Sequence, residues 1–343
     1  MLMHELRDRT EWFAGKWGVF FHYLASPAGS TDLSLPSERW NQQVDAFDVG
    51  GLVTQLKSVG ADYFGITLGQ GSGHYLSPNQ TYERLTELPD SKLSRRDLIT
   101  ELGDALNQEG LRLMVYTASE CGWADLRARL RLGMTHHHAD HHLGLRAGEN
   151  DWAANRRGQV AFLKNWQAFH REWAVRWGKR VAAWWVDGCY HPSIRFPEDE
   201  PPNRASMAEV LRAGNPDAII AFNQGKRKAF SGFCVDEDYT AGEVNSDWPE
   251  CHGAWVQEDE HRVRFHMLSY LGDTWGRGDK PRFEDEAVVD LTHNILVKSG
   301  FVTWDVPPLA SGLIRDDFLP QLKAVGNRLR IPRAEHGPFA RVS

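Results

Sequence analysis

The sequence predicts an α/β fold, a single (β/α)8 TIM-like barrel over residues 1–343, and three observations predict it. Eight β-branched or aromatic runs alternate with amphipathic helical stretches. The clearest helices end on a glycine that feeds directly into the next run, which is the αβ connection of a parallel sheet. The competing open, doubly wound sheet lacks its marks, since no G-x-G-x-x-G follows the first run and no Walker A loop occurs.

The elements follow in order. Residues 17–23 form the first expected strand. A helix over 49–59 closes on Gly60 and leads into a strand at 62–67. A helix over 97–109 closes on Gly110 before a strand at 111–116. The stretch 159–177 carries Val160, Leu163, Phe169, Trp173 and Trp177 near helical spacing, and Gly178 ends it before a strand at 181–186. Strands are expected at 218–222 and 232–235, with weaker ones at 265–270 and 300–304. No repeat and no low-complexity tract interrupts this pattern.

Composition bounds the function. Apolar residues make up 41% and charged residues 25% of 343, enough to bury a large core. Lys and Arg number 39 against 46 Asp and Glu, a formal charge of −7, which speaks against binding nucleic acid through its phosphates. The purely apolar runs are short, such as 181–186, whereas a bilayer span needs about 20 residues, so no membrane partner is expected. Glu5, Arg7, Asp8 and Arg9 interrupt any signal core at the start, and the expected location is cytoplasmic. Cys121, Cys189, Cys234 and Cys251 form no C-x-x-C pair, so neither a zinc knuckle nor a disulfide scaffold is expected, and no cofactor is implied. The 14 Trp are expected mostly in the core, with some left to stack on the C–H faces of a sugar.

In such a barrel the active groups sit at the C-terminal ends of the strands. There the sequence places His22, Gln70 and His74, Ser119 and Glu120, Asp187, Asn223, and the acidic stretch 236–243. Asp187 ends the run Trp184-Trp-Val-Asp187, and a carboxylate directly after a buried strand suits nucleophilic attack; the ordinary reading is a turn or helix cap. A retaining glycosidase needs a second carboxyl about 5–5.5 Å away. Glu237, Asp238 and Glu243 are the candidates. Trp185, Tyr116 and Trp275 are candidate walls, and Trp304 is as well suited to the core.

These motifs, taken together, resemble the α-L-fucosidase family of retaining glycoside hydrolases. Residues 12–22, ending in His22, resemble its opening strand, which ends in a sugar-binding His. Phe47-Asp48 to Tyr63 resembles its first helix and second strand, and Ser94-Arg-Arg-Asp-Leu98 through Tyr116 its "K-R-D-L…G-L…Y" block. Trp185-Val-Asp-Gly188 resembles its "W-F-D-G" nucleophile strand, and Asp238-Tyr-Thr-Ala-Gly-Glu243 is similar to its "D-Y-x-T-P-E" segment. The resemblance implies Asp187 as nucleophile and Glu243 as acid/base, with Glu237 second. It implies sugar contacts from Glu38 and Trp40 in Glu-Arg-Trp. It also implies a barrel-only relative without the family's C-terminal β-sandwich. One departure bears on substrate: the family's "K-H-H-D-G-F" is replaced by Gly69-Gln-Gly-Ser-Gly-His74, which leaves Gln70 and His74 where a His pair would hold the sugar.

The expectation is therefore a retaining glycosidase acting on a small oligosaccharide or glycoside. Two alternatives remain. One is a barrel that binds carbohydrate without cleaving it. The other is a metal-dependent hydrolase using the cluster His136 to His142, where His137 with His141 and His138 with His142 stand at i, i+4 spacing.

Overall fold

In the computed structural model the described residues are 8–134, 152–189, 200–232, 234–258 and 261–330. The strands are β1 (Trp17–Phe21), β2 (Tyr63–Thr67), β3 (Arg112–Ala118), β4 (Val181–Asp187), β5 (Ile219–Phe222), β6 (Trp255–Glu258), β7 (His261–Arg264), β8 (His266–Tyr270) and β9 (Phe301–Asp305). Seven of them form one parallel sheet in the order β5-β4-β3-β2-β1-β9-β8, while β6 and β7 pair antiparallel as a separate ribbon. The helices are α1 (Ser37–Asp45), α2 (Val49–Val59), α3 (Gln80–Thr86), α4 (Leu98–Gln108), α5 (Leu126–Arg131), α6 (Trp152–Trp177), α7 (Arg204–Leu211), α8 (Asp285–Leu296) and α9 (Leu319–Arg330).

Seven of the eight expected runs thus become strands of the parallel sheet. The run 232–235 does not: its described residues lie in no strand. The segment 238–244 runs between the two edge strands instead. Asp238 N–H donates to Ile220 O on β5, while Leu268 N–H of β8 donates to Gly242 O and Val244 N–H to Leu268 O. Two features keep this segment from being a regular eighth strand. The Asp238 side chain, not a backbone carbonyl, accepts Ile220 N–H at 2.8 Å. Gly242 adopts φ +69°, and a Cβ there would stand 2.1 Å from His266 O, so the chain kinks where only glycine fits.

Period-2 alternation sorts the strand residues onto two faces. Val19, Phe21, Phe64, Ile66, Leu113, Val115, Trp184, Val186, Ile220, Val302 and Trp304 pack in one cluster with Leu52, Leu56, Leu102, Trp166 and Trp177 of the helices. Phe20, Tyr63, Met114, Tyr116, Trp185, Ile219, Ala221, Tyr239, Ala241, Leu268 and Phe301 form the second cluster, on the opposite face. Contacts span that face, so the sheet curls around it: Tyr239 Oη–H donates to Trp184 O at 2.7 Å, and the Tyr239 and Phe301 rings lie 5.2 Å apart.

Most tryptophans are core, as their area favours. Trp166, Trp173 and Trp177 recur along α6 and are fully buried, with Trp173 and Trp177 stacked at 5.7 Å. Truncating one would cost about 3–5 kcal/mol. Trp304 belongs here too, with its Nε1–H donating to Thr292 Oγ1 at 3.0 Å. The helix ends follow the sequence signals. Asp48 caps α2 by accepting Gly51 N–H, Asp97 caps α4 by accepting Thr100 N–H, and Gly60 closes α2 in the left-handed region at φ 78°. No helix among the described residues is long and apolar enough to cross a membrane.

Candidate active site

The same alternation that fills the concave face delivers polar groups to one end of it. Asp187 stands two residues after Trp185, Asn223 two after Ala221, Glu243 two after Ala241 and His22 two after Phe20. Each therefore shares the side of a buried apolar residue but lies beyond the last filled layer. His22, Asp187 and Glu243, with Gln70, Tyr116, Trp185 and Trp275, line a cavity of about 580 Å3. Ala28, Gly29, Gln224, Gly225, Lys226 and Leu268 complete its wall.

Asn223 joins the two carboxylates. Its Nδ2 donates to Asp187 Oδ1 at 2.8 Å and to Glu243 Oε2 at 2.7 Å. Sharing one nitrogen, those two oxygens are no more than 5.5 Å apart. Gly225 N–H donates to Asn223 Oδ1 at 2.9 Å, so the amide is held with its nitrogen toward the carboxylates. The other oxygen of Asp187 accepts Tyr116 Oη–H at 2.7 Å. Tyr116 in turn accepts from Gln70 Nε2 at 2.9 Å, and Gln70 Oε1 accepts Gly29 N–H at 2.8 Å. Gln70 thus supports Asp187 through one phenol.

Burial, then the Asp187 charge, pushes the Glu243 carboxyl above the ordinary glutamate range, against the Asn223 hydrogen bond and the Lys226 charge. Burial, again followed by Asp187, drives Glu120 well upward. Glu120 is buried beside Asp187, against Gly188. One wall is aromatic: Tyr116 stacks on Trp185 at 5.3 Å and 21°, and Trp185 Nε1–H is tied to Ala241 O at 2.8 Å. Trp275 packs against His22 at 5.5 Å and Tyr270 at 4.8 Å. His22 Nδ1 lies 3.0 Å from Oδ1 of the buried Asp305.

The structure brings together Asp187, Glu243, His22, Gln70, Tyr116, Trp185, Asn223 and Trp275. It does not bring Glu38, Trp40, His74 or Glu237 to this cavity. Glu38 is exposed and pairs with Arg95 at 3.0 and 3.2 Å in a separate groove. Trp40 is buried, with Nε1–H donating to Tyr75 O at 3.0 Å. His74 is buried between Ser72 Oγ and Leu35 O, and burial, helped by Lys92, pushes its pKa down to about 4. Glu237 takes backbone amides: Phe222 N–H at 2.7 Å and Cys234 N–H at 3.3 Å. The His136 to His142 cluster lies outside the described residues, among which no group of three potential ligands could hold a metal.

Lys226 and Asp305 were not singled out from sequence. For Asp305 a signal existed, because it directly follows the strand 300–304 as Asp187 follows 181–186. Lys226 sits in the short turn after β5, where nothing in the pattern marks it as a cavity residue.

A family model described as Alpha-L-fucosidase matches residues 37–332. No curated protein matches the sequence. Among solved structures, an endo-fucoidan hydrolase of glycoside hydrolase family 107 is similar with a TM-score of 0.70 and 20% identity, over 94% of this chain and 53% of that one. Alpha-L-fucosidase isoenzyme 1 from Paenibacillus thiaminolyticus aligns at 0.63 and 19%, over 94% and 75%. The alpha-L-fucosidase AlfC from Lactobacillus casei, solved with its alpha-L-fucose product, aligns at 0.60 and 15%, over 93% and 97%. The chain spans about half the length of the first of these, and at such identities the likeness is one of fold.

Proposed function

The chain belongs to the alpha-L-fucosidase family, and from that premise we propose that it is a retaining glycoside hydrolase that releases a terminal, fucose-like sugar by double displacement. The observation that carries the reading is the Asn223 bridge. Inverting enzymes hold their carboxyls about 6.5–9.5 Å apart to admit a water, and retaining ones about 5–5.5 Å. Here the facing oxygens of Asp187 and Glu243 lie within 5.5 Å.

In this mechanism Asp187 attacks the anomeric carbon while Glu243 gives its proton to the departing glycosidic oxygen. The C–O bond breaks, and a glycosyl ester forms on Asp187. Glu243, now a carboxylate, takes a proton from water. The water oxygen attacks the anomeric carbon and Asp187 leaves. Burial and the Asp187 charge suit Glu243 to start protonated. Once Asp187 is esterified its charge is gone, Glu243 becomes the stronger acid, and it is ready to act as base. Tyr116 and Asn223 aim Asp187 by donating to both its oxygens. Glu237 is not the acid/base in this reading, since its oxygens serve backbone amides.

His22 and Gln70 would orient the sugar hydroxyls, and Trp185 and Trp275 would cover its apolar patches. The cavity holds about 580 Å3, room for a monosaccharide and the start of an aglycone. The test is a panel of aryl glycosides, α-L-fucoside beside α-L-galactoside, α-L-arabinoside and furanosides, on wild type and Asp187→Asn. Hydrolysis of one pyranoside with retained configuration, absent in the variant, is the expected result. An Asp187→Asn protein as active as wild type would overturn the assignment.

A further inference from the structure

We propose that Asp305 is a positioning residue: it fixes His22 in the Nδ1–H form, so that the bare Nε2 accepts a hydrogen bond and selects a sugar whose facing oxygen is a free hydroxyl. The statement about the sugar rests on the glycosidase reading, and the statement about the ring does not.

Asp305 ends β9 with no exposure to solvent. Its two oxygens serve three donors, all from the protein. Oδ1 receives the His22 backbone N–H at 3.3 Å and lies 3.0 Å from His22 Nδ1, while Oδ2 receives Gly276 N–H at 2.6 Å. An ionised carboxylate only accepts, so the hydrogen on this contact must belong to Nδ1. A neutral imidazole then has a lone pair on Nε2. Among the described residues nothing bonds Nε2, and the ring lines the cavity.

An asparagine at 305 would offer one acceptor oxygen to those three donors, so the charge is what the geometry requires. Gly276 follows Trp275, whose ring packs on His22 at 5.5 Å. One buried group therefore sets both a polar contact and a stacking wall. The chemical consequence is selective. An acceptor nitrogen is satisfied by a hydroxyl, but an ether or ester oxygen at that place brings no hydrogen and leaves two lone pairs face to face. Sites built to hydrogen-bond a hydroxyl discriminate strongly against partners that cannot.

The test is the nitrogen-15 spectrum of the full chain labelled at histidine, with His22 assigned by the signals lost in His22→Gln. The expected pattern has the proton on Nδ1 and a bare Nε2. A proton on Nε2, or on both nitrogens, would overturn the proposal. In Asp305→Asn the bare-Nε2 pattern should be lost, and its survival would likewise count against Asp305. A second measurement needs no Asp305 variant: wild type is titrated with L-fucose and its 2-, 3- and 4-O-methyl ethers. One ether should bind about tenfold more weakly than L-fucose, the scale of one lost hydrogen bond, and His22→Gln should erase that gap. Equal binding of all four sugars would remove the selection. If L-fucose itself does not bind while the ring has the stated tautomer, the glycone reading fails and the Asp305 assignment stands.

Discussion

β4 and β9 both end on an aspartate next to a tryptophan-bearing strand end, and the two carboxylates are held in opposite ways. Asp187 is partly open to the cavity, and its partners are side chains, Tyr116 and Asn223. Asp305 is sealed, and two of its three donors are backbone amides. A carboxylate tied to backbone amides is fixed in place and spent on structure. A carboxylate tied to side-chain donors at an open cavity keeps a face for a substrate atom. The same contrast recurs beside β5: Glu243 takes the Asn223 side chain, whereas Glu237 takes the amides of Phe222 and Cys234. The donor type, more than the residue type or its place at a strand end, separates chemistry from scaffolding here.

The largest expected effect breaks this comparison most directly. Asp187→Gly should lower turnover by more than about 10⁴-fold, the scale of removing a group that bonds to substrate. Azide should restore part of it by entering the vacated space, giving a glycosyl azide of inverted configuration detectable by NMR. Asp305→Gly should lower activity too, but azide should not restore it, because the lost anchors lie in a sealed pocket. Rescue of both variants would erase the distinction.

The Glu243 and Glu237 pair sharpens it. Glu243→Gln should cost about 10²–10⁴-fold in kcat/KM on glycosides with poor leaving groups, as for loss of a general acid, and much less in kcat/KM on dinitrophenyl glycosides, whose first step needs no proton, while kcat on the latter falls with the loss of the base. Glu237→Gln should leave kcat of the folded enzyme close to wild type. It should instead reduce stability by about 1–3 kcal/mol, because an amide nitrogen would face a backbone N–H. Steady-state rates with the two leaving groups, beside a denaturant melt, separate these outcomes.

Much of this was legible in the sequence because alternation and punctuation are local. Trp184-Trp-Val-Asp187 announces a strand, its two faces and the group at its end, and Gly60, Gly110 and Gly178 announce the joins. The expected strand at 232–235 misplaced the gap between β5 and β8, because the true segment is stitched by the Asp238 side chain and kinked at Gly242, neither of which leaves a periodic trace. Glu38 and Trp40 resemble sugar contacts by motif and His74 follows a strand end, yet which side of a loop faces the cavity is decided by tertiary partners such as Arg95, Tyr75 O and Leu35 O. Asp305 followed the same strand-end rule as Asp187, but its partners, His22 and Gly276, are 283 and 29 residues away in the chain.

Glu120 tests a third way of holding a carboxyl. It lies beside Asp187 and is driven well above the ordinary 4.5 by burial first and by Asp187 second. The folded state therefore keeps a proton that the unfolded chain releases above its ordinary pKa. The stability this group contributes is complete below about pH 4.5 and is lost as pH rises toward its folded value. Glu120→Gln removes that loss. The variant should melt near wild type at pH 4.5 and above it at pH 8, by about 1–2 °C for each kcal/mol recovered. Part of the wild-type slope should survive, since Glu243 is shifted the same way. An unchanged slope in calorimetric melts would mean that Glu120 ionises in the fold at no cost.

The smallest expected effect belongs to Glu38, the exposed carboxylate whose motif resembles a sugar contact. Its two bonds to Arg95, at 3.0 and 3.2 Å, lie in solvent, where water and salt screen the pair and two long side chains lose freedom to keep it. Its groove includes Lys92 and Arg95 and none of the residues that line the cavity around Asp187. Glu38→Gln should therefore change neither kcat, KM nor the melting temperature measurably. A tenfold rise in KM with kcat intact would show that substrate reaches from the cavity across the loop bearing Ala28 and Gly29 into that groove. The binding surface would then extend beyond the cavity around Asp187, and the side-chain donor rule would need to cover an exposed arginine as well.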